Sequence, residues 1–287
     1  MAIGINTYRE FMNWRYAAHQ GFLVECLIPK IKSGSIITIG THNESFHCDE
    51  VVAIAMLEAL ITEMGGKSEI HRINRKNQEK LDEMDILVDV GRELDAVTGR
   101  FDHHQVGGAG RRINRIGEKD IPLSSCGLVW HAIGLVLTGE ADLAVHANPG
   151  DDIAPTLAFD KVDREFIRGI DASDNGVGMP SGFRIQEEDG SVSEVSGSPI
   201  HLSRMIGQFN SGNPHDEALQ FQQFNAALAV AKAVFGNVLR DAKSFADARP
   251  QLEKALKSKR DTPEVLILDR YLRWNDHRGQ VDNAGKA

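Results

Sequence analysis

Four short stretches of this 287-residue chain carry side chains that can bind metal or move protons. The first, Thr41-His42-Asn43-Glu44-Ser45-Phe46-His47-Cys48-Asp49-Glu50, offers His42, His47 and Asp49 within one turn. Imidazole nitrogens with a carboxylate oxygen suit a divalent cation. The plainer use of Asp49 is a helix cap, with both histidines on the surface. The second stretch ends the apolar run Ile86-Leu87-Val88 in Asp89, a carboxylate costly to bury unless it is paired or holds a cation. Asp85, at the start of that run, reads as a solvated edge residue. The third is Asp102-His103-His104. Adjacent side chains alternate on a strand, so at its end one imidazole can meet a metal and the other a substrate, with Asp102 behind them. The fourth places Asp171 and Asp174 three residues apart, on one face of a helix end whose dipole disfavours two unpaired carboxylates. An Asx-type turn into Asn175-Gly176 is the alternative. Together these stretches supply enough donors for two divalent ions bridged by one carboxylate. Such a site acidifies a bridging water and clamps a phosphoryl group. The donor mix points to Mn²⁺ or Mg²⁺ rather than structural zinc.

The elements between these stretches must bring them together. Residues 36–40, 69–74 and 85–90 read as strands and 99–102 as a fourth, with helices over 49–64 and 78–82. This alternation predicts an α/β domain with a mostly parallel sheet flanked by helices, which places all four stretches at strand or helix ends. The glycine-rich segment 107–115 reads as a flexible basic loop, and Arg111, Arg112 and Arg115 are its candidate phosphate contacts. Helices are expected over 123–137, 154–172 and 216–257, a long loop or lid over 174–199, and a last strand over 264–269. The organisation read from this is an N-terminal extension over 1–34, a catalytic α/β domain over 35–177, a linker over 178–213 and a helical segment over 214–287. That last segment has three open uses: a homodimer surface, a substrate platform or a cover for the sheet.

Composition narrows the setting. A charged fraction of 25% and 41% hydrophobic residues are globular values, which excludes wholesale disorder. The net charge of −9 argues against a generic basic coat for nucleic acid but leaves room for a local basic groove. Three scattered cysteines form no disulfide framework and suggest a reducing, cytoplasmic setting. No apolar run reaches the length of a membrane span, so no membrane partner is expected.

The strings THNESFHCDE, DILVDVG, RFDHHQ, LSSCGLVW and DASDNG resemble the DHH phosphoesterase superfamily, and within it the melanocyte-proliferating-gene exonuclease family. The similarity runs from about Ile36 to Trp274, with a looser match at Phe209-Asn210. The resemblance implies that His42, His47 and Asp89 hold one Mn²⁺ or Mg²⁺. It implies that Asp49, Asp89, His103 and either Asp171 or Asp174 hold a second. Asp89 would bridge the ions, His104 would face the scissile phosphate, and Asp102 would support the histidine pair. The implied activity is metal-dependent phosphodiester hydrolysis with 3′→5′ exonuclease action on RNA. The chain is expected to be a shortened member, lacking the family's C-terminal block. Trp130 and Trp274 are candidates to stack on bases, with core packing the alternative. Two other readings stay open. One is a phosphoesterase for a small molecule such as pyrophosphate, a phosphonucleotide or a cyclic dinucleotide, and the other is a metal-binding module without turnover.

Overall fold

The computed structural model describes residues 8–113, 119–140, 156–177, 182–186, 189–196, 200–210, 212–213 and 216–257. Arg115, Trp274 and the strand expected over 264–269 lie outside the described residues.

The chain forms an α/β fold around a five-stranded sheet. In chain order the strands are β1 (Ile36–His42), β2 (Lys67–Ile73), β3 (Ile86–Val88), β4 (Leu94–Asp95) and β5 (Arg100–Phe101). Their spatial order is β2-β1-β3-β5-β4, parallel throughout except for β4, which pairs antiparallel at one edge. Ile37 and Ile39 of β1 and the apolar centre of β3 are buried, as the inner strands of a parallel sheet require, while Ile36 at the start of β1 is exposed. Asp85 locks β1 to the start of β3. Its carboxylate accepts from the Thr38 amide at 3.0 Å and from the Lys30 ammonium, and its own amide donates to the Thr38 hydroxyl at 3.0 Å. The solvated-edge reading of Asp85 is thereby corrected.

The helices begin with α1 (Tyr8–Ala17), which runs through a π-helical stretch, Ala18–Leu27, into α2 (Ile28–Lys32). Next come α3 (Cys48–Glu63), α4 (Gln78–Asp82) and α5 (Ser125–Thr138). Residues Cys48 to Leu57 of α3 are all buried, because the sheet, α5 and the C-terminal helix pack around it. The long helix expected over 154–172 is composite: α6 (Leu157–Val162), a π-helical turn Asp163–Ile167, and α7 (Arg168–Asp174). Two expected loops are instead hairpins. Arg111–Ile113 (β6) pairs with Lys119–Pro122 (β7), and Gly182–Gln186 (β8) pairs with Val192–Ser196 (β9). A short α8 (Leu202–Gly207) precedes α9 (Glu217–Lys257). The apolar face of α9, including Phe224, Ala227, Ala231 and Phe235, packs on α3 and α6, so in this chain the helix covers the α/β core. Trp130 is fully buried, stacked on Phe159 with centroids 4.9 Å apart, and so belongs to the core.

Candidate metal centre

Three adjacent parallel strands, β1, β3 and β5, deliver their carboxyl ends to one place. His42 is the last residue of β1, Asp89 follows β3 directly, and Asp102-His103-His104 follows β5. In an open parallel sheet this edge is where ligands bind. Asp89 has φ +59°, in the left-handed region that Asp tolerates better than most residues. The backbone turns sharply there while the Asp89 amide still donates to the Phe101 carbonyl at 3.1 Å. The carboxylate is thereby aimed into the cluster.

Around Asp89 the side chains close in. His42 Nε2 lies 3.3 Å from Asp89 Oδ2, and His103 Nε2 and His104 Nδ1 lie 3.4 and 3.3 Å from Asp89 Oδ1. His103 Nε2 also approaches Asp174 Oδ2 at 3.1 Å and Asp49 Oδ2 at 3.9 Å. Donor atoms of Asp49, His103 and Asp174 lie within 4.8 Å of one another, as do those of His47, Asp49, Glu50 and Asp89, and those of Asp89, His103 and His104. His47 is exposed at the rim, its Nδ1 4.0 Å from Asp174 Oδ1.

The chemistry of these atoms fits a cation. Both carboxylate oxygens of Asp49, Asp89 Oδ2, His42 Nε2 and His103 Nε2 are buried and form no hydrogen bond among the described residues. Buried polar atoms are normally satisfied; here His42 Nε2 and His103 Nε2 meet carboxylates without forming hydrogen bonds and the two Asp49 oxygens accept none among the described residues, so a cation fits the set. Asp49 caps nothing despite standing in the first turn of α3. Burial drives its carboxyl well above the usual range, and Asp89, Glu50 and Asp174 push the same way. Asp89 moves oppositely: burial opposes ionisation, but His103, His104 and His42 outweigh it and hold the carboxyl well below its ordinary value. Burial likewise opposes charge on His42, yet Asp89 and Glu50 raise it to about 9. His104 is pushed up to about 10, chiefly by Asp102, whose Oδ1 is 2.8 Å from His104 Nδ1. Asp102 also accepts the His104 amide at 2.9 Å and the Arg92 amide at 2.6 Å, fixing the turn that carries the histidine pair.

A family model for MYG1 exonucleases, described as an uncharacterised protein family (UPF0160), matches residues 38–286. The chain belongs to this family. Within it, the MYG1 protein of Dictyostelium discoideum is 30% identical over 250 residues, which cover 85% of this chain and 69% of that one. The MYG1 exonuclease of Bos taurus is 29% identical over 253 residues, covering 85% and 61% respectively. The human MYG1 exonuclease is 33% identical over 168 residues, covering 56% of this chain and 43% of its own.

The structure separates side chains that the sequence left alike. Of the two carboxylates on α7, Asp174 joins the cluster and Asp171 does not. Asp171 is buried against α5, where backbone and hydroxyl donors and Arg112 occupy it. Arg112 is not a free phosphate contact either. It is buried, its Nη2 2.8 Å from Asp163 Oδ1, because β6 turns it inward. Arg111, the preceding residue on β6, is exposed. Sequence reasoning missed Glu50, which is fully buried. Both Glu50 oxygens accept the His47 amide at 2.9 Å, and Oε1 lies 3.1 Å from His42 Nε2. Its position three residues past the N-cap of α3, where capping boxes place Glu, was the signal that could have found it.

Proposed function

We propose that the chain is a divalent-metal-dependent phosphoesterase, a 3′→5′ exonuclease that hydrolyses RNA or oligonucleotide phosphodiesters with two Mn²⁺ or Mg²⁺ ions. The observation that carries this reading is the set of buried, hydrogen-bond-free donor atoms of Asp49, Asp89, His42 and His103 at the sheet's carboxyl edge. In this reading His42, His47 and Asp89 hold one ion, and Asp49, Asp89, His103 and Asp174 hold the other. When bound, such ions supply a nucleophilic water at neutral pH and neutralise charge on the phosphoryl oxygens. Asp102 fixes His104 through Nδ1. That leaves His104 Nε2 to face the scissile phosphate and hold a proton there for the leaving oxygen. Arg111 remains a candidate to contact substrate phosphates. The exonuclease names of the bovine and human relatives support a nucleic-acid substrate.

Hydrolysis of 5′-labelled RNA with Mn²⁺, by wild type and by Asp89→Asn, tests the proposal. Shortening from the 3′ end by wild type, and a loss of at least about 100-fold in the variant, is expected, since even outer partners of metal ligands matter 10- to 100-fold. Equal activity in both would sink the assignment. Phosphate release from pyrophosphate or nucleotides with none from RNA would move the reading to a small-molecule phosphoesterase.

A further inference from the structure

Asp171 and Arg112 meet each other beside the metal cluster rather than within it. One Asp171 oxygen, Oδ1, takes three donors: the Ser124 amide at 3.2 Å, the Ser124 hydroxyl at 2.5 Å and the Gly127 amide at 3.0 Å. The other, Oδ2, faces Arg112 Nη1 at 2.5 Å. Arg112 is anchored in turn by Nε and Nη2 on Asp163, at 3.1 and 2.8 Å. A cation at Asp171 would have to displace a guanidinium, so its surroundings are those of a tethered carboxylate rather than a ligand.

The tether reaches the N-terminus of α5. Ser124 is the N-cap residue, yet its hydroxyl makes no capping bond to its own helix. It donates outward to Asp171 instead, and the Asp171 carboxylate takes the Gly127 amide that an N-cap side chain would ordinarily accept. Helix α5 is thus capped by a side chain on another helix. The fit depends on Gly127, because an added Cβ would stand 2.9 Å from Asp171 Cγ. Between these two anchored residues lies Ser125, whose hydroxyl donates to Asp89 Oδ1 at 3.2 Å. The same Asp89 oxygen faces His103 Nε2 and His104 Nδ1 at 3.4 and 3.3 Å, so the Ser125 hydroxyl is its neutral partner beside two imidazoles.

We infer that Ser125 is a positioning residue for Asp89, held in place because Asp171, clamped by Arg112, caps α5 from outside the helix. This rests on the reading of Asp89 as the bridge between two ions. Ser125 gives one Asp89 oxygen a neutral donor, which limits how the carboxylate can rotate and would help hold it toward bound ions.

The test is Mn²⁺ titration of the full chain by calorimetry, with the electron paramagnetic resonance signal of an exchange-coupled Mn²⁺ pair as a second readout. That signal reports the bridge, and a general loosening of the fold does not mimic it. Wild type is expected to bind two ions and show the coupled signal; no Mn²⁺ binding by wild type would overturn the two-ion reading and this inference with it. With that met, Ser125→Ala should bind Mn²⁺ about 10- to 100-fold more weakly with an altered coupled signal. Ser125→Thr, which keeps the hydroxyl, should lie closer to wild type. Asp171→Asn should weaken binding but keep two ions, whereas Asp174→Asn should lose one. Wild-type behaviour in Ser125→Ala, a Thr variant as weak as the Ala variant, or loss of one ion in Asp171→Asn would each overturn the inference while leaving the two-ion reading intact.

Discussion

Asp89 shows how much a single residue carries at this site. It combines positive φ with burial beside three imidazoles. Asn tolerates left-handed backbone at least as well as Asp, so Asp89→Asn should fold and fail in metal binding, whereas Asp89→Val should also lose stability. Thermal unfolding separates the two: a Val variant as stable as the Asn variant would show that the backbone is not strained there. His131 gives a pH prediction at the same scale. Burial holds its imidazole well below the ordinary 6.5, and Arg15, Arg112 and Arg168 add to the effect. The folded chain therefore keeps His131 neutral while the unfolded chain protonates it below pH 6.5. The unfolded state binds more protons there, so stability should fall as pH drops below 6.5. In His131→Gln this contribution is absent, so the melting temperature should fall less between pH 6.5 and 5; parallel curves would contradict it. Residue roles were only partly legible in the sequence. Asp171 and Asp174 look alike on a helix face. Only tertiary context, with α5 over one and His103 over the other, tells them apart. Arg112 looked like a loop cation because its partner Asp163 is 51 residues away.

At the scale of elements, the turn between β1 and α3 is held from outside. Asn210, just beyond α8, accepts the Phe46 amide at 3.0 Å and donates to the Phe46 carbonyl at 2.6 Å. The Phe46 ring is buried edge-on against Phe224 of α9, with centroids 5.4 Å apart. Arg72 donates to the His42 carbonyl at 3.2 Å and lies over both rings. The C-terminal helices thus brace the stretch that carries His42 and His47. Asn210→Ala leaves two partly buried backbone groups without their partner and should cost about 1–3 kcal/mol in urea unfolding. An unchanged midpoint and slope would show that the brace is dispensable. Strands and helices with strong apolar patterns, such as β1, α3, β3 and α5, were legible from sequence because burial on both faces writes itself as continuous hydrophobicity. The hairpins β6-β7 and β8-β9 were not. Both are short ribbons rich in polar residues and glycine, and cross-strand pairing leaves little mark in such a sequence. The π-helical turn at Asp163–Ile167, within an otherwise regular helical pattern, was equally hidden.

For the molecule as a whole, the net charge of −9 no longer argues against an anionic substrate. Asp49, Asp89 and Asp174, with Glu50 beside them, gather where cations would reverse the local sign, and Arg112 is consumed internally. In this reading Arg111 is the one described residue assigned to substrate phosphates. The Michaelis constant for an RNA oligonucleotide should therefore rise by less than about tenfold between 50 and 200 mM salt, as one or two phosphate contacts imply. A rise of a thousandfold would require many more phosphate contacts than this reading assigns. No described helix is long and apolar enough to cross a membrane. The sheet order delivers His42, Asp89 and the Asp102–His104 turn to one edge, and α3, α5 and α7 bring Asp49, Ser125 and Asp174 to meet them. The central claim is that this convergence is a two-ion site. Calorimetric titration of the chelator-treated full chain with Mn²⁺ tests it most directly. The account predicts two ions per chain in wild type and a marked loss of binding in Asp89→Asn. Equal Mn²⁺ binding by wild type and Asp89→Asn, or none by either, would contradict it.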